Sequence, residues 1–182
     1  MPVDEATIRV LLTLLFVCTS LHAEAGDKFE GQVKEVFDGD SFVMETTLGD
    51  EIQVRLFGID APERDQPYAE SARKALTDLI VHERIRVESV DVDRFGRQVA
   101  RAFRLGDGLD VNAEMVKQGH AWVYRQYTRE KKLYELESAA RAQQRGLWAL
   151  PEEDILPPWQ WRREVEKKAN AKNNTEDTEN TE

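Results

Sequence analysis

Apolar and polar residues alternate through the first half of the chain with the period of β-strands. The alternation is loose around Val33, Glu35 and Phe37, which oppose Gln32, Lys34 and Val36. It is firmer over 41–47 and 51–59, which are rich in β-branched and aromatic residues, and Leu48-Gly49-Asp50 between them predicts a hairpin turn. Residues 28–59 therefore read as a three-stranded meander. The period then changes: Ala72, Ala75, Leu76, Leu79 and Ile80 recur at helical spacing within 68–82, with Pro67 suited to the first helical position. Alternation returns over 84–92, where Ile85, Val87 and Ser89 oppose Arg86, Glu88 and Val90, and over 98–104, with Val99 and Phe103 apolar. Phe95-Gly96 marks the turn between them. A short helix over 111–118 stops at Gly119, and a longer one over about 129–145 buries Leu133, Leu136 and Ala140 and stops at Gly146.

Three strands, a helix, two strands and two helices predict an α+β fold: a five-stranded OB-fold-like β-barrel with three helices, occupying residues 26–150. With 41% hydrophobic and 33% charged residues, the chain can build one core of that size. From 151 the composition shifts. Residues 151–169 form a Pro/Trp-containing C-terminal extension, and 170–182 read as a disordered acidic tail with almost no apolar side chains.

The N-terminus has a different pattern. Residues 10–21 are almost wholly apolar, follow Arg9 and lead to Ala23-Glu24-Ala25, the order of a secretory signal peptide over 1–25. Asp4 and Glu5 depart from the usual basic start, and a buried N-terminal helix is the competing reading. The run is shorter than the roughly 20 apolar residues needed to span a bilayer. The expectation is a secreted or periplasmic protein that starts at Gly26 and has no membrane attachment once processed. The single cysteine, Cys18, lies in the removed segment, so the mature chain has no disulfide. Phe16 and Val17 fit poorly with lipid attachment at Cys18.

A net charge of −10 excludes a general nucleic-acid coat, which holds phosphates by charge neutralisation. An acidic domain suits an enzyme that binds a cation and releases its product. Two acidic segments lie where barrel strands begin and end: Asp38-Gly39-Asp40-Ser41 and Ile59-Asp60-Ala61-Pro62-Glu63. Brought together, Asp40, Asp60 and Glu63 repel unless a cation lies between them, and oxygen ligands select Ca²⁺ or Mg²⁺. One cysteine and three histidines are too few for a zinc centre, and His82 and His120 read as structural or surface residues. Asp38-Gly39-Asp40 taken alone is equally an ordinary polar turn. Arg55, flanked by Val54 and Leu56, points away from the apolar face, and Arg97 follows the turn of Asp93-Arg94-Phe95-Gly96-Arg97. Arginine favours bidentate phosphate contacts.

These three segments, in this order and spacing, resemble staphylococcal nuclease-like proteins, and Val111-Asn112, Gln118-Gly119 and Arg145-Gly146-Leu147-Trp148 resemble the helical half of that family. The resemblance spans about 28–148. It implies a metal-dependent phosphodiesterase that cuts DNA and RNA to 3′-phosphate products. Asp40 and Asp60 would bind Ca²⁺ through their side chains and Ala61 through its carbonyl. Glu63 would orient or deprotonate the attacking water, and Arg55 and Arg97 would clamp the phosphate. Ser41 and Ala61 stand where the family often has threonine, and Phe95 stands where a phosphate-touching tyrosine is known. Tyr124 and Tyr127 fall in the region of base-stacking aromatics, with core packing as the alternative. A monomer is expected.

Two other classes compete. A catalytically inactive OB-fold that binds nucleic acid or protein is disfavoured because Asp40, Arg55, Asp60, Glu63 and Arg97 are all present. An interaction protein acting through Pro157-Pro158-Trp159-Gln160-Trp161 would owe its function to the extension instead.

Overall fold

The computed structural model describes residues 26–179, with side chains to residue 171. The expected signal peptide, and Cys18 with it, lies outside the described residues. Five strands close a barrel: β1 (Lys28–Val36), β2 (Ser41–Thr46), β3 (Glu51–Leu56), β5 (Arg84–Val92) and β6 (Gln98–Arg104), in the order β1-β2-β3-β6-β5. Neighbours are antiparallel except β3 and β6, which run parallel, and β1 pairs with β5 to close the ring. This is the OB-fold-like barrel that the alternation predicted.

Alternation becomes burial on the inner face. Phe42 and Met44 of β2, Val54 and Leu56 of β3, and Ile85 and Val87 of β5 are buried together. Two strands depart from the expected pattern. A register shift between Val33 and Glu35 carries β1 across its own pleat, so Val36 turns inward and Phe37 outward. On β6 the inward residues are Gln98, Ala100 and Ala102, while Val99 and Phe103 are half-buried on the other face. Helix α2 (Val111–Lys117) packs against β6, and its Asn112 is buried there. Asn112 accepts from the Ala102 N–H at 3.0 Å and donates to the Phe57 and Ala100 carbonyls at 2.9 and 3.2 Å, tying β6 to the end of β3.

Helix α1 (Ala69–Ile80) buries Ala72, Leu76 and Ile80. It starts later than the sequence suggests, because Tyr68 takes a left-handed φ of 74° at its N-cap. Helix α3 (Lys131–Ala142) packs on α2 and buries Leu133, Glu137 and Ala140. Glu137 accepts from the Val123 N–H at 2.9 Å and from Arg125 Nη2 at 2.6 Å.

Two features were not predicted. Strands β4 (Ile59–Asp60) and β7 (Trp122–Val123) form a separate antiparallel pair that brings Asp60 opposite Trp122. A fourth helix, α4 (Pro158–Glu179), corrects the expected count of three and runs through most of the segment read as a disordered tail. Pro158 is its first residue, where a missing N–H costs nothing. The link to it is docked: Leu150, Ile155 and Trp159 pack against a second cluster of Trp122, Ala140, Leu147 and Trp148. Among the described residues no helix is long and apolar enough to cross a membrane.

Candidate active site

Strand β2 begins and strand β3 ends at the same mouth of the barrel, with Ser41 opposite Arg55 in register. The turn into β2 is built by its own side chains. Asp38 Oδ1 accepts from the Asp40 N–H at 3.0 Å and from the Ser41 hydroxyl at 2.7 Å. Gly39 allows this turn to close on its neighbours, since a Cβ there would lie 2.7 Å from that of Ala61 and 2.8 Å from that of Ala72. Asp40 is thereby pressed against the second acidic segment, and its Oδ2 accepts from the Ala61 N–H at 2.6 Å.

Arg55 joins the two aspartates. Its Nη1 lies 2.8 Å from Asp40 Oδ2, and its Nη2 donates to Asp60 Oδ1 at 2.7 Å. Nη1 also lies 3.2 Å from the Ile59 carbonyl, which fixes the fork on the turn from β3 to β4. Asp40 and Asp60 are 5% and 1% exposed, so this is an internal ion cluster rather than a surface one. Burial pushes the Asp40 carboxyl well above the usual carboxylate range, against the pull of Arg55, with Asp38 and Asp60 adding to the rise. Burial alone would lower the Arg55 guanidinium, but Asp40 and Asp60 more than offset it and hold it above its ordinary value.

Glu63 lies on the solvent side of this cluster. Its backbone is set by Gln66, whose Oε1 accepts the Glu63 N–H at 3.1 Å. Its carboxylate accepts from Arg162 Nη1, and the same guanidinium donates from Nη2 to Asp60 Oδ2 at 2.9 Å and from Nη1 to Asp60 Oδ1 at 3.3 Å. Arg162 comes from helix α4. Burial would lower its basicity, but Asp60 and then Glu63 raise it.

Arg97 is nearby in the sheet but not in the cluster. It precedes Gln98, the parallel partner of Val54, and its Nε donates to Asp93 Oδ2 at 2.8 Å. Tyr124 is tied to the site through its backbone, donating its N–H to the Gly58 carbonyl at 2.9 Å. Its ring meets Tyr127 edge-on at 4.8 Å and stacks on Trp159 at 5.5 Å with 3° between planes. Tyr127 is exposed.

The structure thus brings together Asp40, Arg55, Asp60 and Ala61, with Glu63 joined through Arg162; Arg97, Tyr124 and Tyr127 flank them. Among the described residues no three His, Cys, Asp or Glu side chains form one metal-holding group. The donor set that is present still fits a hard cation: two adjoining buried carboxylates beside the Ala61 backbone, with no sulfur or imidazole. Arg162 was missed in the sequence, and Trp159 was named there only as part of a segment that could bind a partner. The signal for them was a proline at a helix start followed by an aromatic and a cation three residues apart, which share a helix face.

A family profile described as "Staphylococcal nuclease homologue" matches residues 53–150, and the chain belongs to that family. Its chemistry is therefore that of a nuclease. An uncharacterized endonuclease of Haemophilus influenzae is 36% identical over 157 residues, covering 86% of each chain. A micrococcal nuclease of Shigella flexneri is 35% identical over 167 residues, covering 87% of this chain and 93% of its own. Protein ParB of Escherichia coli is 37% identical over 164 residues, covering 84% and 88%.

Proposed function

We propose that the chain is a calcium-dependent endonuclease that hydrolyses DNA and RNA internally, leaving 3′-phosphate and 5′-hydroxyl ends. The observation that carries this reading is the fork of Arg55 between Asp40 and Asp60, 2.8 and 2.7 Å from their oxygens, at the barrel mouth beside Glu63. The name of the Haemophilus relative, an endonuclease, supports cleavage within a strand.

Asp40, Asp60 and the Ala61 carbonyl would hold the divalent cation, which supplies charge neutralisation at the phosphate. Arg55 and Arg97 bind the non-bridging oxygens and stabilise the charge that builds on them. Glu63 accepts a proton from the attacking water. The water oxygen bonds to phosphorus, the P–O5′ bond breaks, and the leaving oxygen takes up a proton to become the 5′-hydroxyl. Tyr124 and Tyr127 present rings on which a base can stack, a contact worth roughly 1–3 kcal/mol per base. Arg97 must leave Asp93 to reach a phosphate, so it serves the bound substrate rather than the resting site.

The apolar run over 10–21 and the Ala23-Glu24-Ala25 that follows also fit export with removal of residues 1–25, giving a secreted or periplasmic monomer. The N-terminal sequence of protein recovered from the host tests that part: it should begin at Gly26. End-group analysis tests the chemistry. Products should accept a 5′-phosphate from a kinase without prior dephosphorylation, and products carrying 5′-phosphate would contradict the proposed bond.

A further inference from the structure

Arg162 lies beyond the residues matched by the family profile, yet its guanidinium occupies the open edge of the Asp60 carboxylate. Together with Arg55, it takes up both Asp60 oxygens, and it holds Glu63 Oε1 as well. A divalent cation held by Asp60, and a water handled by Glu63, need that same edge. One turn of helix earlier, Trp159 lies parallel on Tyr124, as a nucleobase would. Positions 159 and 162 share a helix face, so α4 places a cation and a ring on two parts of the site at once.

The seat of α4 is narrow. Gln66, which sets the Glu63 turn, also donates to the Leu156 carbonyl, and Trp159 packs on the tryptophan cluster. Past Arg162 the helix is exposed through Ala171. An exposed polar helix held by one turn opens at low cost.

We infer that helix α4 is an autoinhibitory strap: Arg162 and Trp159 occupy the cation and base positions of the catalytic site and leave when a divalent cation and a nucleic-acid strand bind. This rests on the nuclease reading above. Every hydrogen bond that Arg162 makes is to a carboxylate that the proposed reaction requires.

The test is a calorimetric Ca²⁺ titration of the full chain and of R162A and R162K, with cleavage and hydrogen exchange followed in parallel. An apparent dissociation constant is the intrinsic one divided by the open fraction, so a strap shut about nine-tenths of the time weakens Ca²⁺ binding roughly ten-fold. R162A should bind Ca²⁺ tighter by that factor and cleave faster at low Ca²⁺. R162K, whose ammonium cannot form the fork, should fall between, and it gives the same reading should R162A fail to fold. Amides over 158–171 should lose protection when Ca²⁺ is added to the wild type and be unprotected from the start in R162A. Ca²⁺ binding no tighter in either variant, with cleavage equal or lower, overturns the strap while wild-type cleavage upholds the nuclease. A folded wild type that neither binds Ca²⁺ nor cleaves overturns both.

Discussion

Arg55 Nη2 and Asp60 Oδ1 meet at 2.7 Å across the turn that carries β3 into β4. The pair is set by one local and one long-range feature: Arg55 is the outward residue between inward Val54 and Leu56, and Asp60 is fixed opposite Trp122 by the β4–β7 pair. In the proposed reaction this fork turns from the two aspartates to the phosphate, and its planar geometry is what a lysine ammonium cannot reproduce. We predict that Arg55→Lys lowers the cleavage rate by about 100- to 1,000-fold, the range for losing one preorganised donor. Steady-state kinetics check this, and an unchanged rate would remove Arg55 from the mechanism.

Glu63 is partly exposed, its backbone contact with Gln66 survives substitution, and its side-chain contact is to Arg162 of the exposed helix α4. Glu63→Gln should therefore leave the melting temperature near that of the wild type while turnover falls about 100- to 10,000-fold, the usual reach of a positioned base. Thermal unfolding and kinetics on the same preparation separate the two effects.

Asn112 should matter for stability rather than chemistry. Its three buried hydrogen bonds tie β6 to the end of β3, below the site. Asn112→Ala orphans the Ala102 N–H and the Phe57 carbonyl, while the Ala100 carbonyl keeps the Phe57 N–H, and should cost about 3 kcal/mol of folding stability. Urea unfolding measures it; a loss well under about 1 kcal/mol would mean that the neighbours repack.

The Asp93–Arg97 pair should give stability a pH dependence. Burial would raise the Asp93 carboxyl, but hydrogen bonds from the Arg97 side chain and backbone and from Phe95 outweigh it and hold it below the ordinary 3.8. A carboxyl lowered on folding stabilises above its unfolded value, and the contribution is lost as pH falls through its folded value. Wild type should thus exceed Asp93→Asn in stability near neutral pH, with the gap closing well below pH 3.8. A gap independent of pH would place the effect in packing instead.

The barrel was legible because β2, β3 and β5 each carry one apolar face, and the paired acids and Arg55 were legible because strand ends in a closed barrel must converge. Three features were not. The β1 shift between Val33 and Glu35 swaps faces without any glycine or proline to mark it. The β4–β7 pair is two residues long, too short for any periodicity. Arg162 acts about 100 residues from its partners in sequence, so no local pattern could join it to Asp60, although the proline start and the Trp159–Arg162 spacing announce the helix face that carries it.

The Asp40–Arg55–Asp60 cluster and Glu63 are proposed to form a cation-dependent phosphodiesterase site. Its most direct test is cleavage of single-stranded DNA by the purified chain with Ca²⁺, with Mg²⁺ and with a chelator, beside Glu63→Gln. Cleavage should occur in Ca²⁺ and disappear with the chelator and with the substitution. A folded chain that cuts under none of these conditions, or that cuts equally well with the chelator or as Glu63→Gln, would contradict it.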